Sequence, residues 1–446
     1  MYLSNYLRKT IEDVEIFYLD SHLGLKNHMK MVEKINPDMY GISFSSLRFE
    51  EARTVTSAVK ERFPSLPVVC GGAHPTIAPE EVLNEMSVDI CVVGEGEETL
   101  SEVVEAVCLG RRKLEEVNGI VYRGDNEVIR NPKRPFIKDL DSIPFPAWDL
   151  VDFRNYVGNY QYKKKPSTAI IVSRGCQYNC TFCSNPVWKS NKPWLRLRSP
   201  KNIAEEISIL YKRGIREISI RSDEFNVRLD WCVEVCKEIQ KLGYKDMYFQ
   251  ANFRAHPFSE ELAQEMVKSN FWLIQLGIES ANQRVLDGIN KKTTIEQISN
   301  TCSIAKHFNI KVYAYIMIYN VWEENGKLCY ETTEEVNNTF SFVRRLKSKG
   351  LLHFMSFSTS TPLRGSVLYD IANKHNILKY KSDPKDLSEF IMNLGNIPEK
   401  EMKRIRFKGM LIQLYCILSS PGTSWAVWRK ILFKIKSLFN SFFLIY

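Results

Sequence analysis

The sequence lacks the features of a secreted or membrane-spanning protein. Its first residues, MYLSNYLRKT, contain neither the apolar core nor the cleavage site of a secretory signal. Its 11 cysteines are scattered without the spacing of a disulfide framework. We therefore expect a cytoplasmic protein in a reducing environment, where a local cluster of cysteines indicates metal or redox chemistry.

The sequence also lacks a large excess of basic residues outside its last 46 positions. Of its net charge of +9, residues 401–446 contribute +7, from eight Lys and Arg against Glu401, which leaves +2 for the other 400 residues. This distribution does not predict a nucleic-acid-binding face, and no nucleic-acid partner is expected. At 44% hydrophobic and 25% charged residues, the chain is long enough for two or three domains.

The first 110 residues alternate helical periods with short apolar runs, which predicts a parallel sheet covered by helices. The predicted strands are 14–19, 39–45, 67–72 and 88–95. Three of them end in small residues, SFSS, GGAHPT and GEGEE, where a doubly wound sheet binds ligands, although such glycines are also common in tight turns. No strand precedes the first helix, so the first strand of such a domain is missing from the pattern. Residues 119–132 predict a hairpin.

A second alternating series predicts a partial (β/α)6 TIM barrel, with chemistry at the carboxyl ends of its strands. Its predicted strands are 168–174, 217–222, 247–253, 272–280, 311–318 and 353–360. The predicted organisation is α/β, with a Rossmann-like domain at 1–135, a proline-bearing linker at 136–165, the barrel at 166–385 and a helical tail at 386–446.

Three cysteines, Cys176, Cys180 and Cys183, follow the first barrel strand within eight positions. A zinc site would need a fourth Cys or His at paired spacing, and the loop supplies none. Cys232 and Cys236 are four apart on a predicted helix among apolar neighbours and are interpreted as core residues. An iron–sulfur cluster fits better, because three thiolates leave one iron open for another ligand.

This CxxxCxxC loop, with Phe182 before its last cysteine, resembles the radical S-adenosylmethionine (SAM) enzymes. The resemblance implies a [4Fe-4S] cluster held by Cys176, Cys180 and Cys183, with SAM as the fourth ligand and an external electron donor such as ferredoxin or flavodoxin. FQANFRAH, LGIES and RSDEF resemble the segments of that family that face SAM. The residues implied to contact the cofactor are Phe182, Asp223, Glu224, Asn252, Arg254, Glu279 and Ser280. For Asp223 and Glu224 the alternative is a pair of exposed loop acids, and for Glu279 a carboxylate at a helix N-terminus.

The N-terminal half is similar to the cobalamin-binding domain of the B12-dependent radical SAM class. This similarity implies that the groove for the nucleotide tail of cobalamin is lined by Ser43, Ser45, Gly71, Gly72 and Gly94. Asp20-Ser21-His22 follows the wrong strand for an axial-histidine motif and is interpreted as a surface loop. The segment IMIYNVWEE departs from the family, because Tyr319, Val321 and Trp322 stand where small residues are usual.

The last residues form an apolar pattern of helical spacing with basic neighbours, without a charge-free run of ~20 residues. Two alternatives stay open: an amphipathic helix at a membrane surface, or a helix packed on the barrel. The predicted function is hydrogen abstraction from an unactivated carbon followed by cobalamin-dependent methyl transfer, on a small-molecule or lipid-linked substrate. The alternatives are radical cyclisation, rearrangement or oxidation without methyl transfer, and a degenerate, non-catalytic binding module.

Overall fold

A computed structural model describes residues 1–20, 23–125, 127–153, 162–189, 192–379, 391–395 and 397–419. The chain divides into two compact units. The first comprises residues 1–152, 182–196 and 361–392, and the second comprises 153–181, 197–360 and 393–446. The domain boundaries inferred above stay predictions.

The first unit is built on a sheet whose five strands follow one another in chain order. They are β1 (Tyr40–Ser43), β2 (Val68–Gly71), β3 (Ile90–Val92), β4 (Ile120–Arg123) and β5 (Val128–Arg130). Strands β1 to β3 are parallel, and β4 and β5 form an antiparallel hairpin at the predicted place. The parallel strands therefore present their carboxyl ends along one edge.

Helices cover both faces of this sheet. They are α1 (Tyr2–Thr10), α2 (Gly24–Ile35), α3 (Phe49–Arg62), α4 (Ala73–Ile77), α5 (Pro79–Glu85) and α6 (Glu97–Val107), and the unit also contains α13 (Val367–Lys374), late in the chain. Neighbouring residues of β2 enter different cores: Val68 and Cys70 pack in one buried cluster and Val69 in another. A strand buried on both faces explains the continuous apolar runs of the sequence.

The predicted strand at 14–19 is wrong, because these residues make no sheet pairing. Val14 and Ile16 instead pack on a small cluster formed by Leu7, Ile11 and Val104. Phe17, the residue after Ile16, is 50% exposed. The segment thus has the alternation of a strand because one of its sides packs on helices, without a ladder of hydrogen bonds.

The second unit contains the predicted partial barrel. Its six parallel strands are adjacent in chain order. They are β6 (Ser167–Ile171), β9 (Glu217–Arg221), β10 (Tyr248–Phe253), β11 (Phe271–Glu279), β12 (Lys311–Ile318) and β15 (Phe354–Thr359), and two short strands, β7 (Ser173–Arg174) and β8 (Arg196–Leu197), intervene. The prediction of the barrel is confirmed.

Helices connect successive barrel strands. They are α7 (Pro200–Lys212), α8 (Leu229–Lys241), α9 (Glu260–Lys268), α10 (Gln283–Gly288), α11 (Ile295–His307) and α12 (Thr333–Ser348), and a further helix of this unit, α14 (Glu399–Leu418), follows the last strand. Four of them begin after a Ser or Thr whose hydroxyl accepts a hydrogen bond from a backbone N–H of the first turn: Ser199, Ser259, Thr294 and Thr332. Such caps satisfy N–H groups that have no partner within the helix.

Strands β13 (Val321–Glu324) and β14 (Lys327–Tyr330) form an antiparallel hairpin after β12. The large residues of the unusual segment, Tyr319, Val321 and Trp322, are buried there. A Cβ added to Gly288 would lie 2.3 Å from the Trp322 ring, so the indole packs directly on the end of α10. The departure from the family pattern therefore builds a packed hairpin.

Cys232 and Cys236 are fully buried on α8, which confirms their interpretation as core residues. In the part of the chain that the structure describes, no helix is both long enough and apolar enough to span a membrane. The predicted amphipathic segment after residue 419 lies outside the described residues, so both alternatives for it stay predictions.

Candidate cofactor sites

The cysteine loop follows β6 and β7 at the carboxyl end of the barrel sheet. Two of its sulfurs accept backbone hydrogen bonds from two residues further along: Cys176 from the Tyr178 N–H and Cys183 from the Asn185 N–H, each at 3.4 Å. Hydrogen bonds to cysteine sulfur stabilise thiolates and tune the clusters that they ligate. Burial, with the nearby Glu224 and Asp223 carboxylates, raises the pKa of the Cys176 thiol to about 11. Iron binding must therefore drive its deprotonation.

Arg254 brings positive charge to this loop from the carboxyl end of β10. Its guanidinium carbon lies 3.6 Å from the centre of the Tyr178 ring, and its Nη1 lies 3.9 Å from the Cys180 sulfur. Arg254 is buried, and its Nε and Nη2 have no hydrogen-bond partner among the described residues. A buried guanidinium with two unused donors is suited to an anionic ligand such as a carboxylate.

Glu224 supplies the opposite charge, after β9. Its carboxylate is buried, and its Oε1 has no hydrogen-bond partner within the described ranges. Burial raises the pKa of Glu224 to about 7, although the Arg254 and Lys291 cations act in the opposite direction. The neighbouring Ser222 hydroxyl is also buried and unpartnered in the described structure. Asp223 is exposed, so the predicted acidic pair divides into one buried and one exposed carboxylate.

Asn226 fixes the backbone around Arg254, and sequence reasoning did not identify it. Its Oδ1 accepts a hydrogen bond from the Arg254 N–H at 2.9 Å, while its Nδ2 donates to the Arg254 carbonyl at 2.8 Å and to the Pro257 carbonyl at 2.5 Å. The side chain is fully buried. Because Asn is common in loops, no feature of the sequence distinguishes it.

Glu279 ends β11 in the left-handed region, at φ 63°. Its Oε1 accepts a hydrogen bond from Lys291 Nζ at 2.8 Å, and both side chains are about nine-tenths buried. A Cβ on Gly277 would lie 2.8 Å from this ammonium and 2.9 Å from Glu279 Oε1, so any larger residue there would displace the pair from its present position. A non-glycine residue at positive φ is costly and is typical of functional sites. Lys291 was not predicted, because a Lys-Lys pair after a short helix resembles ordinary surface sequence.

The remaining predicted barrel residues have protein partners. Ser280 is fully buried, and its hydroxyl donates to Glu331 Oε1 at 2.9 Å. Asn252 accepts a hydrogen bond from Arg221 Nη1 at 3.0 Å and lies half-buried in the barrel. Phe182, next to Cys183, is also half-buried. Their contacts with SAM stay predictions.

The predicted cobalamin residues lie at the carboxyl ends of β1 to β3. Ser43 and Ser45 are exposed, and Ser43 pairs with Gly71 in the sheet. Gly72 has φ 103°, and a Cβ there would lie 2.7 Å from the Phe44 carbonyl oxygen. Gly94 has φ 87°, and no described atom lies within 4 Å of its Cβ position. Gly72 therefore serves a close backbone contact, whereas Gly94 leaves space in which a bulky ligand could approach.

A buried ion pair lies beside Gly94 and was not anticipated from the sequence. Arg196 Nη1 lies 2.8 Å from Glu95 Oε2 and donates to the Ile137 carbonyl at 2.7 Å, and Glu95 Oε2 accepts from the Ile137 N–H at 2.8 Å. The guanidinium carbon is 4.7 Å from the Phe136 ring centre. Glu95 thus fixes the course of the chain after β5. Asp20-Ser21-His22 lies partly outside the described residues, because Ser21 and His22 are not described.

Residues 170–328 match the model of the Radical SAM superfamily, and residues 1–104 match that of the B12 binding domain. An uncharacterised methyltransferase of Pyrococcus horikoshii is 31% identical over 379 residues, covering 84% of this chain and 78% of that protein. The chain belongs to the cobalamin-binding radical SAM enzymes. It is therefore an enzyme, and the alternative of a degenerate binding module is not supported.

Two further comparisons agree with this family. An anaerobic magnesium-protoporphyrin IX monomethyl ester cyclase of Rubrivivax gelatinosus is 31% identical over 355 residues, and the match covers 77% of this chain and 61% of the cyclase. The structure of TsrM, a radical SAM methyltransferase from Kitasatospora setae, has a TM-score of 0.66 at 17% identity, covering 85% of this chain and 75% of TsrM. At that identity the likeness establishes the fold.

The two matched domains identify the cofactors of this radical SAM enzyme as a [4Fe-4S] cluster, SAM and cobalamin. The residues fit the first two: three cysteines supply thiolates, and the buried Arg254, Glu224 and Ser222 present unused donors and an acceptor to an amino acid. The backbone at Gly94 can be approached closely, which is compatible with the third. No three Cys, His, Asp or Glu side chains of the described residues could hold a single metal ion. A four-iron cluster is larger than one ion and needs wider spacing.

Proposed function

We propose that this enzyme methylates a carbon atom of a small-molecule substrate, using SAM, its iron–sulfur cluster and cobalamin. The observation that carries the proposal is the set of buried polar atoms near the cysteine loop, on Arg254, Glu224 and Ser222, that have no hydrogen-bond partner among the described residues. The methyltransferase name of the Pyrococcus horikoshii relative supports the reaction type. The same proposal includes the identity of the acceptor: the methyl group is transferred to an unactivated carbon.

The protein side chains have separate tasks in this proposal. Arg254 binds the SAM carboxylate through Nε and Nη2, because these are its unused donors. Glu224 in its ionised form accepts hydrogen bonds from the SAM ammonium, and this new partner offsets the burial that raises its pKa. The Tyr178 ring packs against the guanidinium, 3.6 Å from its carbon, and this contact restricts the direction of the two unused nitrogens.

The bound cofactors would supply the reactive chemistry: the cluster held by Cys176, Cys180 and Cys183 would deliver an electron from an external reductant for the cleavage of SAM to methionine and a 5′-deoxyadenosyl radical, and cobalamin would carry the methyl group. The protein contributes binding, orientation and exclusion of water. The ends of β9 and β10 lie in one sheet, so Glu224 and Arg254 are positioned by rigid strands.

The test is anaerobic reconstitution with iron, sulfide and cobalamin, followed by measurement of 5′-deoxyadenosine and S-adenosylhomocysteine after reduction. We expect both products, with S-adenosylhomocysteine stoichiometric with bound cobalamin when no substrate is present. Cys180→Ala should lose iron and 5′-deoxyadenosine formation together. Cys302→Ala, which removes a fully buried thiol on α11, should keep both and is the matched control.

Formation of 5′-deoxyadenosine without any S-adenosylhomocysteine would contradict methyl transfer. That result would favour the second candidate, a radical cyclisation or oxidation, which is supported by the 31% identity to the cyclase. If a protein with full iron content formed neither 5′-deoxyadenosine nor S-adenosylhomocysteine, SAM cleavage itself would be refuted.

A further inference from the structure

The inner face of the barrel sheet carries polar side chains where its outer face is apolar. Ile218 and Ile220 of β9 are fully buried, whereas the next residue in the strand, Arg221, is only half-buried. The same alternation continues on β10, where Ala251 is fully buried and Asn252 is not. Side chains two apart on a strand lie on one face, so these polar residues share the inner face of the sheet.

Hydrogen bonds join these residues across four strands. Arg221 Nη1 donates to Asn252 Oδ1 at 3.0 Å and to Gln275 Oε1 at 3.3 Å. The Tyr315 hydroxyl donates to the same Gln275 oxygen at 2.5 Å. Gln275 Nε2 in turn donates to Gln250 Oε1 at 2.6 Å. The Arg221 side chain on β9 therefore reaches past β10 to Gln275 on β11.

The two charged side chains of this network, Glu217 and Arg221, differ in their hydrogen-bond partners. Glu217, at the amino end of β9, accepts hydrogen bonds from Gln250 Nε2, Trp272 Nε1 and the backbone N–H groups of Lys163 and Lys164. Among the described residues, the guanidinium of Arg221, at the carboxyl end, has only the carboxamide oxygens of Asn252 and Gln275 as hydrogen-bond partners. Within the described parts of the chain no carboxylate forms an ion pair with Arg221, and its Nε and Nη2 donate to no described atom.

Next to Arg221 on the same face is an exposed apolar side chain. Ile171 of β6 is the sheet partner of Arg221 in the parallel register and is 42% exposed. A guanidinium with a free edge binds carboxylate or phosphate oxygens through two hydrogen bonds. An exposed isoleucine beside it favours a ligand whose anionic group adjoins an apolar part.

We propose that Arg221 binds an oxyanion of the substrate, a carboxylate or a phosphate-type group, inside the barrel, and that Ile171 contacts the adjoining apolar part. This proposal rests on the function proposed above, because it assigns substrate binding to the barrel interior and SAM binding to the Arg254 site. Arg221 is a specificity residue in this assignment.

The test uses the reconstituted full-length wild-type protein, so it does not depend on a variant that folds. Phenylglyoxal modifies arginines whose guanidinium is accessible, and peptide mass spectrometry identifies the modified positions. Inorganic phosphate, methylphosphonate and acetate are added over a concentration series. We expect Arg221 to react without anion and to be protected saturably by one class. Arg228, an exposed arginine paired with Asp230, is the internal control and should show no such protection.

Protection by phosphate and methylphosphonate at tenfold lower concentration than acetate would support a phosphate-type substrate, and the reverse order a carboxylate. Failure of Arg221 to react, or equal protection at Arg228, would overturn the proposal. In direct binding of the protecting anion, Arg221→Met should weaken affinity at least tenfold and Arg228→Met should not; unchanged affinity in Arg221→Met would also overturn it. Loss of SAM affinity in place of anion affinity would assign Arg221 to SAM. These outcomes are independent of 5′-deoxyadenosine formation, which tests the proposed function separately.

Discussion

Glu331 is a buried carboxylate that should make folding stability depend on pH. It follows β14 and accepts hydrogen bonds from the Asn320 N–H at 3.2 Å, from Asn320 Nδ2 at 2.8 Å and from Ser280 Oγ at 2.9 Å. Burial raises the pKa of Glu331 from 4.5 to about 7, although the Asn320 and Ser280 donors favour its ionised form. Burial is therefore the larger effect.

The expected change follows from the difference between the two pKa values. Below pH 4.5 the carboxyl is protonated in both states, and above pH 7 it is ionised in both, but only the folded state loses hydration of the charge. Stability is thus fully present in acid and lost as the pH rises through the folded pKa. A shift from 4.5 to about 7 corresponds to about 3 kcal/mol, at about 1.4 kcal/mol per pKa unit.

The substitution Glu331→Gln removes the charge and keeps a carbonyl oxygen for Asn320. We expect its free energy of unfolding, relative to wild type, to rise by about 3 kcal/mol between pH 4.5 and pH 7.5. Anaerobic urea unfolding, followed by circular dichroism across this range, measures the difference. Glu234→Gln, at an exposed position on α8, is the matched control. Parallel pH profiles for Glu331→Gln and wild type would refute the reasoning.

Three further predictions concern packing at the site. Gly277→Ala places a Cβ 2.8 Å from Lys291 Nζ and should cost about 1–3 kcal/mol in thermal unfolding and raise the apparent KM for SAM. Asn226→Ala should cost about 2–4 kcal/mol, because it leaves a buried N–H and two buried carbonyls without its hydrogen bonds, and should weaken SAM binding. Gly288→Ala forces the Trp322 ring aside and should cost about 1–3 kcal/mol, with little effect on SAM binding.

Gly41→Ala is the control for the glycine substitutions, because no atom of the described residues lies within 4 Å of its Cβ position. It should leave the unfolding temperature nearly unchanged. An unaltered KM for SAM in Gly277→Ala would show that the Lys291 ion pair does not shape the cofactor site. Loss of SAM binding in Gly288→Ala would contradict the structural role assigned to the β13–β14 hairpin.

The sequence predicted the barrel strands closely because each is an apolar run bounded by turn residues. Predicted strand 311–318 coincides with β12, and 248–253 lies within the predicted 247–253. The strand at 14–19 was wrong because alternation reports which side is buried and cannot distinguish packing on a helix from pairing in a sheet. Pairing depends on distant chain segments that local pattern does not reveal.

Site residues could be predicted where the chemistry requires a fixed spacing along the sequence. They could not be predicted where the fold brings together residues that are distant in the sequence. The three cysteines form a motif, and Glu224 and Arg254 belong to segments that resemble a family. Asn226 and Lys291 belong to no motif, because their roles arise from contacts with residues brought near by separate strands and loops. The same holds for the ion pair between Arg196 and Glu95, whose members are 101 positions apart.

The hydrogen-bond network from Glu217 to Tyr315 also bears on how the barrel strands find their alignment. Apolar outer faces pack almost equally well when a parallel strand slides by two residues, since the same face stays inward. The hydrogen bonds of the inner network oppose such a shift. A shifted strand would break the hydrogen bond between Gln250 and Gln275, and the buried Glu217 carboxylate would have fewer donors. Replacing these glutamines by leucine should therefore give a barrel with less defined register.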